Sequence, residues 1–578
     1  MPSGTDTPKT TSFALTGSGG SGVITAGSMI LEAASQAGKY GMFMRSSGPQ
    51  IRGGEAAAMI QISDAPVDAP DDAFDIMVSI DWHNIDRFAV ELPLSKKSLV
   101  LYDPDNGDVP EVIVKTGAKL VALPMKKMAK AIKKGRQNMI AAGAIARLTG
   151  IQDEALDQVM VKVLAKRGEE ALRASREAVA SGSAAAEHFG VTLPEVAATM
   201  EAPERWMISG NEAAGLGALR GGIRFVAAYP ITPATELLEW MAPNLKKVGG
   251  ALVQAEDELA SINMIIGSSY GGTPSLTATS GPGLALMAES FGLAVASEVP
   301  LVVVNVMRGG PSTGIPTKSE QSDLNIALFG LHGDAPHLVV APQSVSDCVF
   351  STQWATNLAE VTQTPAIVLS DQLLGQTKAV IDRPADIAFA GKRKIAEAGV
   401  ENYQRYALGG NDVSAMSIPG FAGGQYTADG LTHNQRGLPS SQDTDHLAQM
   451  DKRRDKLQNH DYGDHWAEID GDGPHAVIAW GSTVSAVRRA LDQMLDGGKN
   501  IRVVAPRLLA PALPESMAEA LKGVEKALVV ELSHSAQFYH YLKGYFDLPC
   551  PFETYHRPGP LPFRPTELSD IITKWSGS

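Results

Sequence analysis

Four short stretches between residues 227 and 317 place reactive side chains next to turns that can present them. In AAYPITPATELLEW (227–240) an apolar run stops at Tyr229, and Thr232 stands between Pro230 and Pro233. Pro233 suits the first position of a helix and Thr232 its N-cap, while Pro230 stiffens the turn and withholds an N–H. A hydroxyl presented from a rigid loop at a helix start is expected. In VQAEDELASINMIIG, Glu258 falls in the first helical turn and shares a face with Ile262, Ile265 and Ser269. A carboxylate on an inward face is costly to bury without a partner. It marks a site, unless the helix dipole alone accounts for it. TATSGPGLALM is a strand followed by a close-approach turn, Ser280-Gly-Pro-Gly. LVVVNVMRGGPSTGIPT sets Arg308 just past an apolar strand, where a guanidinium can clamp a carboxylate with two parallel bonds. A lone arginine there reads as a surface residue paired with an acid; four such turns together favour a site.

A fifth stretch points to phosphate. ALTGSGGSGVITAG follows one strand and opens a helix. Gly17, Gly19 and Gly22 fit GxGxxG, with Gly20 and Ser21 inside the turn. Backbone N–H groups in such a turn can approach phosphate oxygens, and the helix dipole favours an anion. The dinucleotide version needs an acid about 20 residues on. Here the second strand, KYGMFM, runs into Arg45, Ser46 and Ser47, so NAD is set aside. SSGPQIRGGEA (46–56) puts Arg52 beside Gly53 and Gly54, which also suits phosphate. Two ordinary glycine turns are the plain alternative.

The elements that must hold these residues are those of an α/β protein with parallel or mixed sheets. At 578 residues the chain exceeds one core. Short apolar runs alternate with helical patterns. Residues 12–17, AAAMIQIS, DIMVSID and KSLVLYD read as strands of a first domain, 1–195, with a helix over 22–37. FVAAYP, GALVQAE, SLTATS, PLVVVNVM, HLVVAP and AIVLSD build a second, 203–377. Residues 378–473 are polar and irregular, with one charged helix, HLAQMDKRRDKLQ. A third, small α/β domain covers 474–578 with HAVIAWG, NIRVVAPR and KALVVELS. In open α/β sheets ligands sit beyond the carboxyl ends of strands, where the four stretches fall.

Composition excludes several classes. The net charge of −14 argues against nucleic acid. No run of about 18 uncharged apolar residues is present, so no membrane span is expected. MPSGTDTPKTTS has no secretion pattern, and a cytoplasmic protein is expected. Cys348 and Cys550 are far apart, read as buried free thiols, and cannot ligate a cluster by themselves. No metal site is expected in this chain. GDG at 471–473 with Asn500 has nearly a thiamine-diphosphate metal spacing, but no buried strand precedes it and Asn500 precedes IRVV.

Together these motifs resemble the 2-oxoacid:ferredoxin oxidoreductases over nearly the whole chain. The match is to an alpha subunit with a gamma domain fused at its N-terminus, and the 2-oxoglutarate members are the most similar. TGSGGSGVITAG with SSGPQIRGGEA looks like the gamma domain, and AAYPITPATE like the family's YPITP signature. EDELASINMIIG, TSGPGLALM and RGGPSTGIPT follow in the family's order, and GGQYTADGLTH resembles the linker of the fused form. Ala234 departs from the frequent serine. The resemblance implies a thiamine-diphosphate-enzyme-like pyrimidine domain and a transketolase C-terminal-like domain. It implies thiamine diphosphate shared with a beta subunit that carries Mg2+ and a [4Fe–4S] cluster, in a heterodimer or heterotetramer. Glu258 then bonds the aminopyrimidine ring, Thr232 the substrate, and Arg308 a substrate carboxylate. Gly17, Gly19, Gly20, Ser21, Gly22 and Arg52 face coenzyme A. The implied reaction turns 2-oxoglutarate into succinyl-CoA and CO2 with ferredoxin as acceptor, in either direction. A second cation is needed for the distal carboxylate: Lys318, His332 or a beta-chain residue. Pyruvate or branched-chain 2-oxoacids, a non-catalytic scaffold, and a stand-alone nucleotide-ligand binder are the alternatives.

Overall fold

The first strand, TTSFALTGS, is apolar through its middle and buried throughout that run, as expected of a strand covered on both faces. A computed structural model describes residues 9–48, 54–189, 205–494, 498 and 500–577. Two units divide the chain: Met1–Ser209, Gln376–Ala385 and Arg564–Thr566 in one, Gly210–Gly375, Asp386–Phe563 and Glu567–Ser578 in the other.

The first unit is built on an eight-stranded mixed sheet, in the order β6-β5-β4-β1-β3-β2-β14-β7. Its strands are β1 (Thr10–Ser18), β2 (Tyr40–Ser47), β3 (Glu55–Ser63), β4 (Ile76–Ser79), β5 (Leu99–Tyr102), β6 (Lys119–Ala122), β7 (Arg205–Ser209) and β14 (Lys378–Asp382). β3 lies between β1 and β2, antiparallel to both. The second strand of a dinucleotide fold would be a parallel partner, so the topology gives an independent reason to set NAD aside. β7 and β14 reach this sheet from either side of the long insertion between them, β14 pairing with both β2 and β7.

In the second unit a seven-stranded sheet runs β18-β12-β13-β11-β10-β8-β9. It comprises β8 (Phe225–Ala228), β9 (Ala251–Gln254), β10 (Ser275–Thr279), β11 (Val302–Met307), β12 (Leu338–Val340), β13 (Ala366–Asp371) and β18 (Leu508–Ala510). The first six match the predicted runs and are parallel. A five-stranded sheet holds β15 (Ala467–Asp470), β16 (His475–Ala479), β17 (Ile501–Pro506), β19 (Lys526–Glu531) and β20 (Phe552–His556). NIRVVAPR reads as one strand, and a second short strand, β18, follows it where a helix was expected. β17 stays in the smaller sheet, and β18 crosses to pair antiparallel with β12. Arg507 divides them, buried and ion-paired to Asp347 at 3.0 Å. The GDG turn follows β15, an edge strand with Ile469 exposed, not a buried one.

Between β14 and the helix Asp443–Gln458 no helix or strand forms. The charged helix turns Lys452, Arg453 and Lys456 inward with Gln449, while Arg454 stays exposed. Lys452 Nζ bonds both carboxylate oxygens of the fully buried Glu298, at 2.6 and 2.7 Å, and Lys456 Nζ bonds one at 3.0 Å. Arg405 Nη2 donates to the Glu298 carbonyl at 2.8 Å. These cations hold the Glu298 carboxyl far below its usual range against burial. Burial takes Lys456 down to about 7. An irregular, polar connection is thus pinned by one buried acid. Cys348 and Cys550 are buried free thiols. No helix among the described residues is long and apolar enough to cross a membrane.

Candidate active site

Strand order makes neighbours of the four sequence stretches. β11, β10, β8 and β9 lie side by side. Their carboxyl ends lead to Arg308, Ser280–Gly283, Thr232 and Glu258 respectively.

Thr232 is not the N-cap that was expected. The Ile231 carbonyl accepts from Ala234 N at 2.8 Å and Thr235 N at 3.0 Å, closing a turn through the two residues between. The helix therefore starts at Thr235, capped by Ala234. Freed from capping, the half-buried Thr232 hydroxyl has no hydrogen bond among the described residues. Tyr229 and Pro230 are exposed and form the rim before it.

Arg308 is 6% exposed. Its Nη1 donates to the Thr232 carbonyl at 2.5 Å, and its own carbonyl accepts from Ser322 Oγ at 2.7 Å. Nε is buried without a partner. Neither Nε nor Nη2 has a hydrogen bond among the described residues, and that edge of a guanidinium matches a carboxylate in two-pronged fashion. Burial lowers the Arg308 pKa and the charge of Asp323 opposes the shift. Asp323 is itself pushed up by burial, while bonds from Asn305 Nδ2 (2.9 Å) and Ser322 Oγ (3.0 Å) pull it down. Asp323 holds the N-cap position of the helix Leu324–Phe329, yet its side chain makes no capping bond and lines the cavity beside Arg308.

Glu258 is the first residue of the helix Glu258–Tyr270 and is 7% exposed. Asp257 caps that helix, accepting from Ala260 N at 2.6 Å. The expected face is buried: Glu258, Ile262, Ile265 and Ser269. Among the described residues nothing hydrogen-bonds or ion-pairs with the Glu258 carboxylate. The Ser280-Gly-Pro-Gly turn is notched around it. A Cβ on Gly283 would lie 2.7 Å from Glu258 Cγ, 2.9 Å from its Oε1 and 2.0 Å from Thr279 Oγ1. A Cβ on Gly281 would lie 2.6 Å from Asp323 Oδ1. The two glycines admit one acid each.

A cavity of about 930 Å³ adjoins Arg308, with Gly281, Glu320, Asp323, His534 and Gln537 in its wall. That volume suits a small-molecule site. Lys318 and His332 do not line it; Lys318 is half-buried with bonds of its own and His332 is exposed. Glu320, His534 and Gln537 carried no signal in the sequence, because no turn or period sets them apart.

The glycine loop lies in the first unit. Gly20 (φ 98°) and Gly22 (φ 87°) are left-handed, which other residues rarely adopt. Several loop amides are already used. Ser18 N donates to Asp81 Oδ2 at 3.0 Å, Gly19 N to the Gly54 carbonyl at 2.6 Å, and Ser21 N to the Ser18 carbonyl at 2.9 Å. The donors left for an anion are the amides of Gly20, Gly22 and the first turn of the helix Val23–Gln36. Gly17 gives room to the Ser21 hydroxyl, which is buried without a partner. Arg52 lies outside the described residues.

Known proteins match both halves of this picture. A family model described as pyruvate flavodoxin/ferredoxin oxidoreductase, thiamine diphosphate-binding, matches residues 216–452. A second, pyruvate ferredoxin/flavodoxin oxidoreductase, matches residues 12–185. The 2-oxoglutarate synthase subunit KorA of Methanothermobacter marburgensis is 37% identical over 58% of this chain and 90% of its own length. The 2-oxoglutarate oxidoreductase subunit KorA of Mycobacterium tuberculosis is 30% identical over 83% of this chain and 78% of its own. A solved 2-oxoglutarate:ferredoxin oxidoreductase from Magnetococcus marinus, with 2-oxoglutarate, coenzyme A and succinyl-CoA bound, superposes with a TM-score of 0.91. It is 36% identical, covering 98% of this chain and 99% of that one.

Proposed function

Because the chain belongs to the 2-oxoacid:ferredoxin oxidoreductase family, we propose that it is the subunit presenting the aminopyrimidine half of a thiamine diphosphate site for the oxidative decarboxylation of 2-oxoglutarate to succinyl-CoA. One observation carries the proposal: Glu258, at the start of the helix after β9, is a carboxylate buried without a partner among the described residues, and Arg308, after β11 of the same sheet, is a buried guanidinium whose Nε also lacks one. A carboxylate so buried needs a hydrogen-bond donor, and a protonated ring nitrogen is one.

Thiamine diphosphate, when bound, supplies the nucleophilic carbon and the electron sink for decarboxylation. The chain's residues do the rest on this side. Glu258 shares a proton with the ring nitrogen. Arg308 offers its Nε–Nη2 edge to a substrate carboxylate and stays aimed through its bond to the Thr232 carbonyl. The Thr232 hydroxyl donates toward the 2-oxo group. The amides of Gly20 and Gly22, the first turn of the following helix and Arg52 receive phosphates of coenzyme A.

A beta subunit would hold the diphosphate, Mg2+ and a [4Fe–4S] cluster, and pass electrons to ferredoxin in the cytoplasm. The chain alone should therefore be inactive. The test is to purify it with its partner and follow viologen reduction with 2-oxoglutarate, pyruvate and branched-chain 2-oxoacids, with and without coenzyme A. CoA-dependent reduction led by 2-oxoglutarate supports the reading. Strict preference for pyruvate overturns the substrate, and no reduction with any 2-oxoacid overturns the enzyme.

A further inference from the structure

A dicarboxylic 2-oxoacid brings two negative ends into one pocket. The open edge of Arg308 can meet only one of them. The other is expensive to desolvate unless a second cation waits for it. A monocarboxylic 2-oxoacid has no such need, so the second cation is where selectivity between the two classes can reside.

In the wall of the cavity beside Arg308, the side chains able to carry positive charge are Arg308 itself and His534. We propose that His534 receives the distal carboxylate of the substrate and sets the preference for dicarboxylic 2-oxoacids. This rests on the 2-oxoglutarate reading above.

The local build supports the assignment. His534 is exposed in this chain, on the loop that leaves β19. That loop is held at both ends. Glu531, fully buried at the end of β19, accepts Phe538 N and Tyr539 N, each at 2.9 Å, capping the helix Gln537–Tyr545. Gln537 then fastens the loop to the segment beside Arg308. Its Nε2 donates to the Ser322 carbonyl at 3.0 Å and its Oε1 accepts Asn325 N at 2.9 Å. Ser322 in turn bonds the Arg308 carbonyl at 2.7 Å. Arg308 and His534 thus sit on segments tied to one another. Each also has an acid nearby in the same wall: Asp323 for Arg308, Glu320 for His534. Burial raises the Glu320 carboxyl, and the charge of His534 opposes that shift.

The holoenzyme, with its partner chain, provides the test. KM and kcat are measured for 2-oxoglutarate and for pyruvate or 2-oxobutyrate in wild type, His534→Gln and His534→Lys. Loss of one charge-assisted bond should raise KM for 2-oxoglutarate about 10- to 100-fold in His534→Gln, with kcat nearly unchanged. KM for the monocarboxylic acids should stay within about twofold, and His534→Lys should recover most of the 2-oxoglutarate KM. Equal rises for both classes, or no change for either, in an enzyme whose wild type uses 2-oxoglutarate overturn the role of His534. A wild type that uses only monocarboxylic acids overturns the substrate reading first, and is seen before any variant is compared.

Discussion

One guanidinium ties two strand ends that do not touch: Arg308 Nη1, after β11, donates to the carbonyl of Thr232, after β8, with β10 between them. The bond uses one edge of the arginine and leaves the other. It explains why a buried cation can be aimed without being consumed.

Lysine cannot do both tasks, since it is a point charge on a flexible stem. Arg308→Lys is expected to lower kcat/KM for the 2-oxoacid by about 100-fold or more, roughly two lost charge-assisted bonds. Steady-state viologen reduction checks it. Activity within a few fold of wild type would remove Arg308 from substrate recognition.

Gly283→Ala should act on Glu258. The added methyl would lie 2.7 Å from Glu258 Cγ and 2.0 Å from Thr279 Oγ1, so both must give way. A stability loss of about 1–3 kcal/mol is expected by denaturation. Activity should fall about as far as in Glu258→Ala, and the double variant should be little worse than either, because both changes disable one group. Full activity in Glu258→Ala would instead favour a scaffold subunit.

The Glu298 cluster predicts an asymmetry. Glu298→Gln strands two buried ammonium groups and should cost about 3–5 kcal/mol. Replacing Glu298, Lys452 and Lys456 together by methionine should cost less, since the two buried ammonium groups leave with their acid and only Arg405 and Arg453 lose its charge. Urea melts of the three proteins decide it; equal losses would mean that packing, not charge, holds the connection.

Glu531 links stability to pH. Burial raises its carboxyl from 4.5 to about 7, outweighing the bonds from Phe538 N, Tyr539 N and Ser533. The folded state therefore binds the proton more tightly than the unfolded chain. Its contribution is complete below about pH 4.5 and fades as pH rises through about 7. Melting temperatures of wild type should drop across that window relative to Glu531→Gln. The variant should start lower, because an amide cannot accept from both backbone N–H groups. Parallel pH profiles would refute the assignment.

Residues 17–22, Thr232, Glu258, Gly281–Gly283 and Arg308 were legible in the sequence because each lies where an apolar run stops at a turn, and that signal is local. The six parallel strands of the larger sheet were legible for the same reason. The placing of Thr232 at a helix cap failed because the carbonyl of Ile231 captured the next two amides, a competition that propensity does not register. What only the tertiary structure decided was adjacency. The order β11-β10-β8-β9 brings the four strand ends together, Gly283 is a notch only because Glu258 fills it, and β18 leaves its own sheet for another. Asp323, Glu320 and His534 reach the wall of the cavity at Arg308, where Ser322 and Gln537 tie the segments together. Composition reads three basic residues on a charged helix as solvated; a single buried glutamate far away in the chain turns them inward. Local chemistry follows from neighbours along the chain, whereas partners across it follow from packing, which no short stretch encodes.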